Sequence, residues 1–182
     1  EHLEVISRLG YEGVEVRTAD ELADVDALII PGGESTTIGR LATIYGLMDP
    51  MRGRVSDGMP VFGTCAGMIF LASGTTGPDQ PQLGVLDVIV ERNAFGRQVE
   101  SFEADLRVTG LVDPMRAVFI RAPWIEKVGA GVEILAKVDD PSGGGEHAVV
   151  VQQDRILAAS FHPELTADDR LHTMLIELAE ER

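Results

Sequence analysis

The stretch VFGTCAGMIF, residues 61–70, decides the fold: an apolar, strand-like run passes through Gly63 and Gly67 into a second apolar run, and the chain's one cysteine, Cys65, sits between the glycines. Glycines on both sides remove side chains where a strand and the helix after it fold sharply together, so the middle residue projects from the turn. Two readings of the thiol stay open on these residues alone. Free cysteine is a small hydrophobe that packs well when buried. A cysteine at a strand-to-helix turn is also placed as a nucleophile, because the helix N-terminus favours thiolate and ligands of α/β sheets gather at the carboxyl ends of the strands.

Working outward, strand-like and helical patterns alternate through the first half. Leu3, Ile6 and Leu9 recur at helical spacing and stop at Gly10; Val14–Val16 predicts a short strand; Ala27–Ile30 (ALII) predicts a buried strand ending in Pro-Gly-Gly. Ser35–Tyr45 reads as an amphipathic helix, Met59–Phe62 as another strand and Cys65–Ala72 as the next helix. Repeated β-then-α units predict an α/β fold with a mostly parallel central sheet flanked by helices on both faces. From Leu83 onward VLDVIVER, SFEADLRV, AVFIRA, VEILAKV, AVVVQQ and RILAASF are β-rich pieces with little helix between them, which predicts an antiparallel extension of the sheet in the second half. Thr166 is placed to cap a last helix, with Asp168 and Asp169 in its first turn and Leu171, Leu175 and Leu178 as its apolar stripe. Residues 74–82 and 139–146 read as surface loops, and no internal repeat is visible.

Composition bounds the setting. The 182 residues, 45% hydrophobic, suffice for one sizeable core, so a single domain over residues 1–182 is expected. A lone cysteine forms no internal disulfide, and with neither a signal-peptide pattern nor a bilayer-length apolar run the expected location is the cytoplasm. Acids outnumber bases 30 to 15, a net charge of -15, which argues against nucleic acid as a partner and is read as a solubility feature. No membrane partner is expected either.

Two further segments carry chemistry. In SFHPELT, residues 160–166, extended backbone would point His162 and Glu164 to the same side, a base beside an orienting carboxylate. With Cys65 they supply nucleophile, base and acid of a catalytic triad. His2, His147 and His172 read as surface or internally satisfied residues, since their neighbours suggest nothing else. In PGGESTT, residues 31–37, two glycines and a helix start present backbone N–H groups to an anion or a developing oxyanion. A phosphate loop fits poorly: no Gly-Lys-Ser/Thr ending is present, and Glu34 would repel phosphate while suiting an ammonium group. No metal-ligand cluster is expected.

Taken in order, PGGESTT, GTCAGM, ERNAFGRQV followed by SFEADL, FIRAP and ASFHPELT resemble the glutaminase subunits of pyridoxal 5'-phosphate synthases, within the class I (triad) glutamine amidotransferases, and the resemblance spans Ile30 to Thr166. The thiol elbow and His-Pro-Glu belong to the wider class, PGGESTT and ERNAFGRQV to the vitamin B6 branch. The resemblance implies a flavodoxin-like fold and hydrolysis of L-glutamine to glutamate and ammonia, with ammonia passed to a synthase subunit in a heteromeric complex and no cofactor on this chain. It implies Cys65 as nucleophile, His162 as base and acid, and Glu164 as the group orienting the imidazole. It further implies an oxyanion site at the N–H groups of Ala66 and the Gly32-Gly33 loop, and glutamine-binding positions at Gly33, Glu34, Ser35, Arg92, Ile120 and Arg121. Arg92 or Arg121 would then pair with the α-carboxylate of glutamine and Glu34 with its α-ammonium.

The same resemblance implies a β-strand and a Gln-Gly loop ahead of the helix with which the quoted sequence opens, and a chain without that strand is expected to be less stable and weakly active. Such subunits are commonly inactive until docked. A glutaminase serving another synthase, a cysteine peptidase of similar design and a regulatory binding subunit are the alternatives.

Overall fold

The computed structural model describes residues 1–92, 94, 101–141 and 143–181; within the ERNAFGRQV stretch, Asn93 and residues 95–99 lie outside this set. The elements in chain order are α1 (His2–Arg8), α2 (Ala19–Ala23), β1 (Leu28–Ile30), α3 (Ser35–Ile44), α4 (Met48–Ser56), β2 (Val61–Thr64), α5 (Ala66–Leu71) and β3 (Ala72–Thr75). They continue as β4 (Leu86–Glu91), β5 (Ser101–Leu106), β6 (Met115–Ile120), β7 (Trp124–Val128), β8 (Glu133–Asp139), β9 (Glu146–Gln153), β10 (Ile156–Ala159), a 3₁₀ turn (Pro163–Leu165) and α6 (Arg170–Glu180).

The main sheet runs β1-β2-β10-β9-β7-β4-β3, with β8 paired to β9, while β5 and β6 form a separate antiparallel hairpin. β1, β2 and β10 are parallel neighbours, as are β3 and β4. The β9 pairings with β10, β7 and β8, and the β4–β7 pairing, are antiparallel. The α/β class and the antiparallel extension are thus as the sequence predicts. Three strands of the β-rich half behave otherwise: β5 and β6 leave the main sheet for a hairpin of their own, and β10 crosses back to lie parallel to β2, a return that assembles the site.

The central strands β2 and β10 are buried on both faces and are therefore without the polar alternation that β4 and β8 show. Leu28, Ile30, Val61, Ile156 and Ala158 meet α2 to α5 on one side. Ile29, Phe62, Leu157 and Ala159 meet α6 and the β5–β6 hairpin on the other. Alternate residues of one strand therefore feed two cores, as a period of two requires.

Several boundaries differ from the pattern reading. Val14–Val16 forms no strand: among the described residues it pairs with none, and Val14 is exposed, so the β-type pattern buries too little to order it as a strand. The helix predicted over 65–72 is α5 alone, and its last residue, Ala72, instead opens β3, which takes up the start of the predicted 74–82 loop. Thr166 does not cap α6. It closes the 3₁₀ turn, donating to Pro163 O at 3.0 Å and accepting from Asp168 N at 3.2 Å, and α6 begins after Asp169. Asp168 and Asp169 therefore precede the helix; they hold Arg170 and Arg8.

Candidate active site

The thiol is presented by a strained turn. Cys65 lies between the last residue of β2 and the first of α5 with φ 49 and ψ −106, a conformation that costs a non-glycine residue about 1–3 kcal/mol. Its N–H donates to Ala159 O at 2.8 Å, and its carbonyl accepts from Ile69 N at 3.3 Å, so the turn is pinned by β10 on one side and α5 on the other. The flanking glycines are required by contact. A Cβ on Gly67 would lie 1.9 Å from Ile30 O, and one on Gly63 would lie 2.8 Å from Gly67 C. Backbone meets backbone here, and α5 is buried along its whole length.

Parallel pairing brings the second segment to the same edge. Ala159 is in register with Thr64, so the chain leaving β10 emerges beside Cys65. His162 N donates to Val118 O at 3.1 Å, tying this exit to β6. Proline at the first position of the 3₁₀ turn then bends the backbone, so His162 and Glu164 are not the alternate residues of a strand that extended spacing implies. They meet nonetheless: His162 Nδ1 and Glu164 Oε1 are 2.7 Å apart.

The electrostatics suit a proton carrier. Interaction with the Cys65 thiol, and then with Glu164, raises the His162 pKa to about 10 against the opposing effect of burial. Burial would raise the Glu164 carboxyl, but the bond from His162 and the neighbouring His2 outweigh it and leave its pKa below the usual value. The imidazole therefore rests charged beside the sulfur, and its ring is held from behind by the Pro-Gly-Gly loop: a Cβ on Gly32 would lie 2.4 Å from Cε1.

That loop carries Gly33 at φ +144, a backbone angle that L side chains rarely adopt. Glu34 caps α3, accepting from Thr36 N at 3.1 Å and Thr37 N at 2.7 Å, and also from the Thr37 hydroxyl at 2.8 Å. The Thr37 hydroxyl, then the Thr36 N–H, push the Glu34 pKa down to about 2. Arg92 Nη2 donates to Glu34 Oε1 at 3.2 Å and its Nη1 to Gln80 Oε1 at 3.1 Å, which brings the predicted ammonium and carboxylate partners together as one exposed ion pair. Ser35 is buried and its hydroxyl bonds Gln80. Ile120 and Arg121 lie just past Val118 at the end of β6, both exposed, with Arg121 at φ 43. Ala66, at the first position of α5, has one of the N–H groups that a helix start leaves unpaired within the helix.

Two histidines read as unremarkable in the sequence join this site. His2, at the start of α1, places Nε2 3.5 Å from Glu164 Oε2 and 3.3 Å from Thr64 Oγ1. Its Nδ1 lies 2.9 Å from Nε2 of His172, which is fully buried on α6. No local pattern marks either, because both reach the site from elements remote in sequence. Among the described residues no group of three or more His, Cys, Asp or Glu is arranged to hold a metal, and no helix is long and apolar enough to cross a membrane.

Comparison with known proteins agrees with this geometry. The chain is 56% identical to the pyridoxal 5'-phosphate synthase subunit PdxT of Acidothermus cellulolyticus, over 98% of this chain and 87% of that protein. It is likewise 56% identical to PdxT of Thermus thermophilus, over 98% of this chain and 91% of that protein. A crystal structure of a glutamine amidotransferase, 55% identical, superposes with a TM-score of 0.91 over 98% of this chain and 92% of its own. The family model of the SNO glutamine amidotransferases matches residues 1–181, and the chain belongs to that family.

Proposed function

We propose that this chain is the glutaminase subunit of a pyridoxal 5'-phosphate synthase, hydrolysing L-glutamine to L-glutamate and ammonia for a separate synthase subunit. The observation that carries the chemistry is the convergence, at the ends of parallel β2 and β10, of a cysteine on a strained turn with a hydrogen-bonded His162–Glu164 pair. The biosynthetic assignment rests on likeness to the PdxT subunits.

In this mechanism the Cys65 sulfur attacks the side-chain carboxamide carbon of glutamine. His162 retains the thiol proton and delivers it to the nitrogen as the C–N bond breaks, releasing ammonia and leaving a γ-glutamyl thioester. Water, deprotonated by His162, then adds to the thioester, and glutamate departs as the C–S bond breaks and the sulfur leaves as thiolate, His162 keeping the proton so that the resting pair is restored. Glu164 keeps the imidazole in orientation throughout. The N–H groups of Ala66 and Gly33 hold the oxyanion, an interaction whose removal costs about 100- to 1000-fold in rate. Glu34 meets the α-ammonium of glutamine, while Arg92 and Arg121 meet its α-carboxylate, with Ser35 and Ile120 lining the same site. The Arg92–Glu34 pair supports this reading, since opposite charges side by side match a zwitterion.

The biosynthetic half is tested with glutamine labelled with ¹⁵N at the amide, supplied with a pentose phosphate and a triose phosphate to the chain mixed with a synthase subunit. The label is expected in the pyridine ring of the product. Ring nitrogen without label, in a mixture that still releases glutamate, would mean that this glutaminase serves another acceptor.

A further inference from the structure

The triad acid has a second oxygen with no part in this hydrolysis. Glu164 Oε1 receives His162, whereas Oε2 is buried without a well-formed hydrogen bond, and the nearest cationic or donor ring is His2, 3.5 Å away. The carboxylate is 8% exposed, so water does not readily supply a donor. A buried carboxylate oxygen needs one, and without it the group is free to rotate away from its histidine.

The surroundings of the His2–His172 pair determine where its protons sit. Burial lowers the pKa of both rings, that of His172 to about 4, so each ring is neutral and carries one N–H. If His2 donated from Nδ1 to His172, its bare Nε2 would face the Glu164 carboxylate, acceptor against acceptor. The His172 proton would then sit on Nδ1, a buried atom with no partner. The reverse arrangement removes the first fault and leaves His172 Nδ1 a bare acceptor in place of an orphaned N–H: His172 Nε2–H donates to His2 Nδ1 across 2.9 Å, and His2 Nε2–H points to Glu164 Oε2 and the Thr64 hydroxyl. His172 is fixed in turn by packing, with its ring edge-on to Phe62 at 5.6 Å.

We infer that His2 is a positioning residue for the triad, donating from Nε2 to the second oxygen of Glu164 in a tautomer that His172 imposes, so that the relay runs Cys65, His162, Glu164, His2, His172. The inference rests on the triad reading of the site and extends it to two residues on α1 and α6. Its consequence is spatial. The entry into α1 becomes part of the catalytic apparatus, and anything that shifts that end of the helix relative to β2 is felt at the imidazole.

The test compares His2→Phe, which keeps a planar ring against His172 but has no donor, with His2→Gln, whose amide N–H can reach the same oxygen. The chains are assayed with a synthase subunit for glutamine kcat and KM. Separately, without reliance on turnover, they are assayed for the rate at which iodoacetamide alkylates Cys65, the chain's one thiol. His2→Phe is expected to lower kcat on the order of 10- to 100-fold, the loss of one charge-assisted hydrogen bond, with KM within about twofold. It is also expected to slow alkylation, and His2→Gln is expected to recover most of both. A folded His2→Phe with parental kcat and parental alkylation rate overturns the relay, as does a His2→Gln no better than His2→Phe. Because alkylation is read on the parent as well, a parent that releases no glutamate counts against the glutaminase reading, while the alkylation comparison still decides the relay.

Discussion

Replacing Gly32 by alanine should disable the enzyme without unfolding it. The added Cβ would lie 2.4 Å from His162 Cε1, 1.0 Å short of the 3.4 Å at which ordinary contact begins. The backbone admits alanine, since Gly32 is not among the glycines with φ in the left-handed range, so the clash with the ring is the whole effect. The ring cannot retreat freely, because Nδ1 is held 2.7 Å from Glu164, nor can the loop, because the Glu34 cap ties its far side to α3. A displacement of about 1 Å at a reacting group costs roughly 100-fold in rate, equivalent to about 2.7 kcal/mol of barrier. The assay is steady-state glutamate release in the presence of a synthase subunit, with a thermal melt on the same sample. Gly32→Ala should lose about 100-fold in kcat and melt within a few degrees of the parent. Gly53→Ala is the control: it lies within α4, where an added Cβ meets nothing within 4 Å, and should be stabilised by about 0.5–1 kcal/mol with activity intact. A Gly32→Ala chain within threefold of parental kcat would refute either the placement of the loop against the His162 imidazole or the proposed role of that imidazole in the reaction.

The backbone strain at Cys65 should be visible in stability: Cys65→Gly is expected to melt above Cys65→Ala, because glycine adopts φ 49, ψ −106 without the cost that alanine retains, and equal melting points would contradict this. The buried neutral His172 should make the fold acid-sensitive. Its pKa is depressed to about 4, so between that value and 6.5 the unfolded chain binds a proton that the folded chain does not, and stability falls as pH falls through the window, by roughly 3 kcal/mol in all. Urea unfolding across this range should show a shallower slope for His172→Phe, and identical slopes would remove His172 as the cause. Glu34→Gln should raise the KM for glutamine by about tenfold with kcat near parental if its carboxylate meets the substrate ammonium, whereas an unchanged KM would leave Glu34 as a helix cap alone.

How legible each part of the molecule is in the sequence depends on how local its signal is. The Cys65 elbow is a contiguous pattern and so is legible without a partner, although only Gly63 is explained by contacts within the turn; Gly67 is required by Ile30 of the neighbouring β1. The His162–Glu164 pair is legible for a partly different reason than the one that forms it: alternate spacing suggests a strand, and Pro163 makes a 3₁₀ turn that brings the two side chains together instead. α2 carries its own signature in Thr18 and Glu21, whose reciprocal capping box could have revealed it, although the helix is only five residues long. α4 gives no such signal, because Pro50 in its first turn and Gly53 in its middle imitate a loop. Val14–Val16 shows the opposite failure, a β-type pattern without a neighbour to pair with. His2 and His172 are illegible for a topological reason: they are 170 positions apart, and only the packing of α1 and α6 beside β2 makes them neighbours. The register of β10 against β2, which places His162 beside Cys65, is likewise a property of the sheet and not of either segment.

The most direct test of the account is glutamate release from L-glutamine by this chain, alone and mixed with a pyridoxal 5'-phosphate synthase subunit, beside the Cys65→Ala variant. The account predicts that release appears or rises on mixing and is lost by at least about a thousandfold in the variant. Release that persists in Cys65→Ala, or no release from a mixture in which binding of the two subunits is demonstrated, would contradict it.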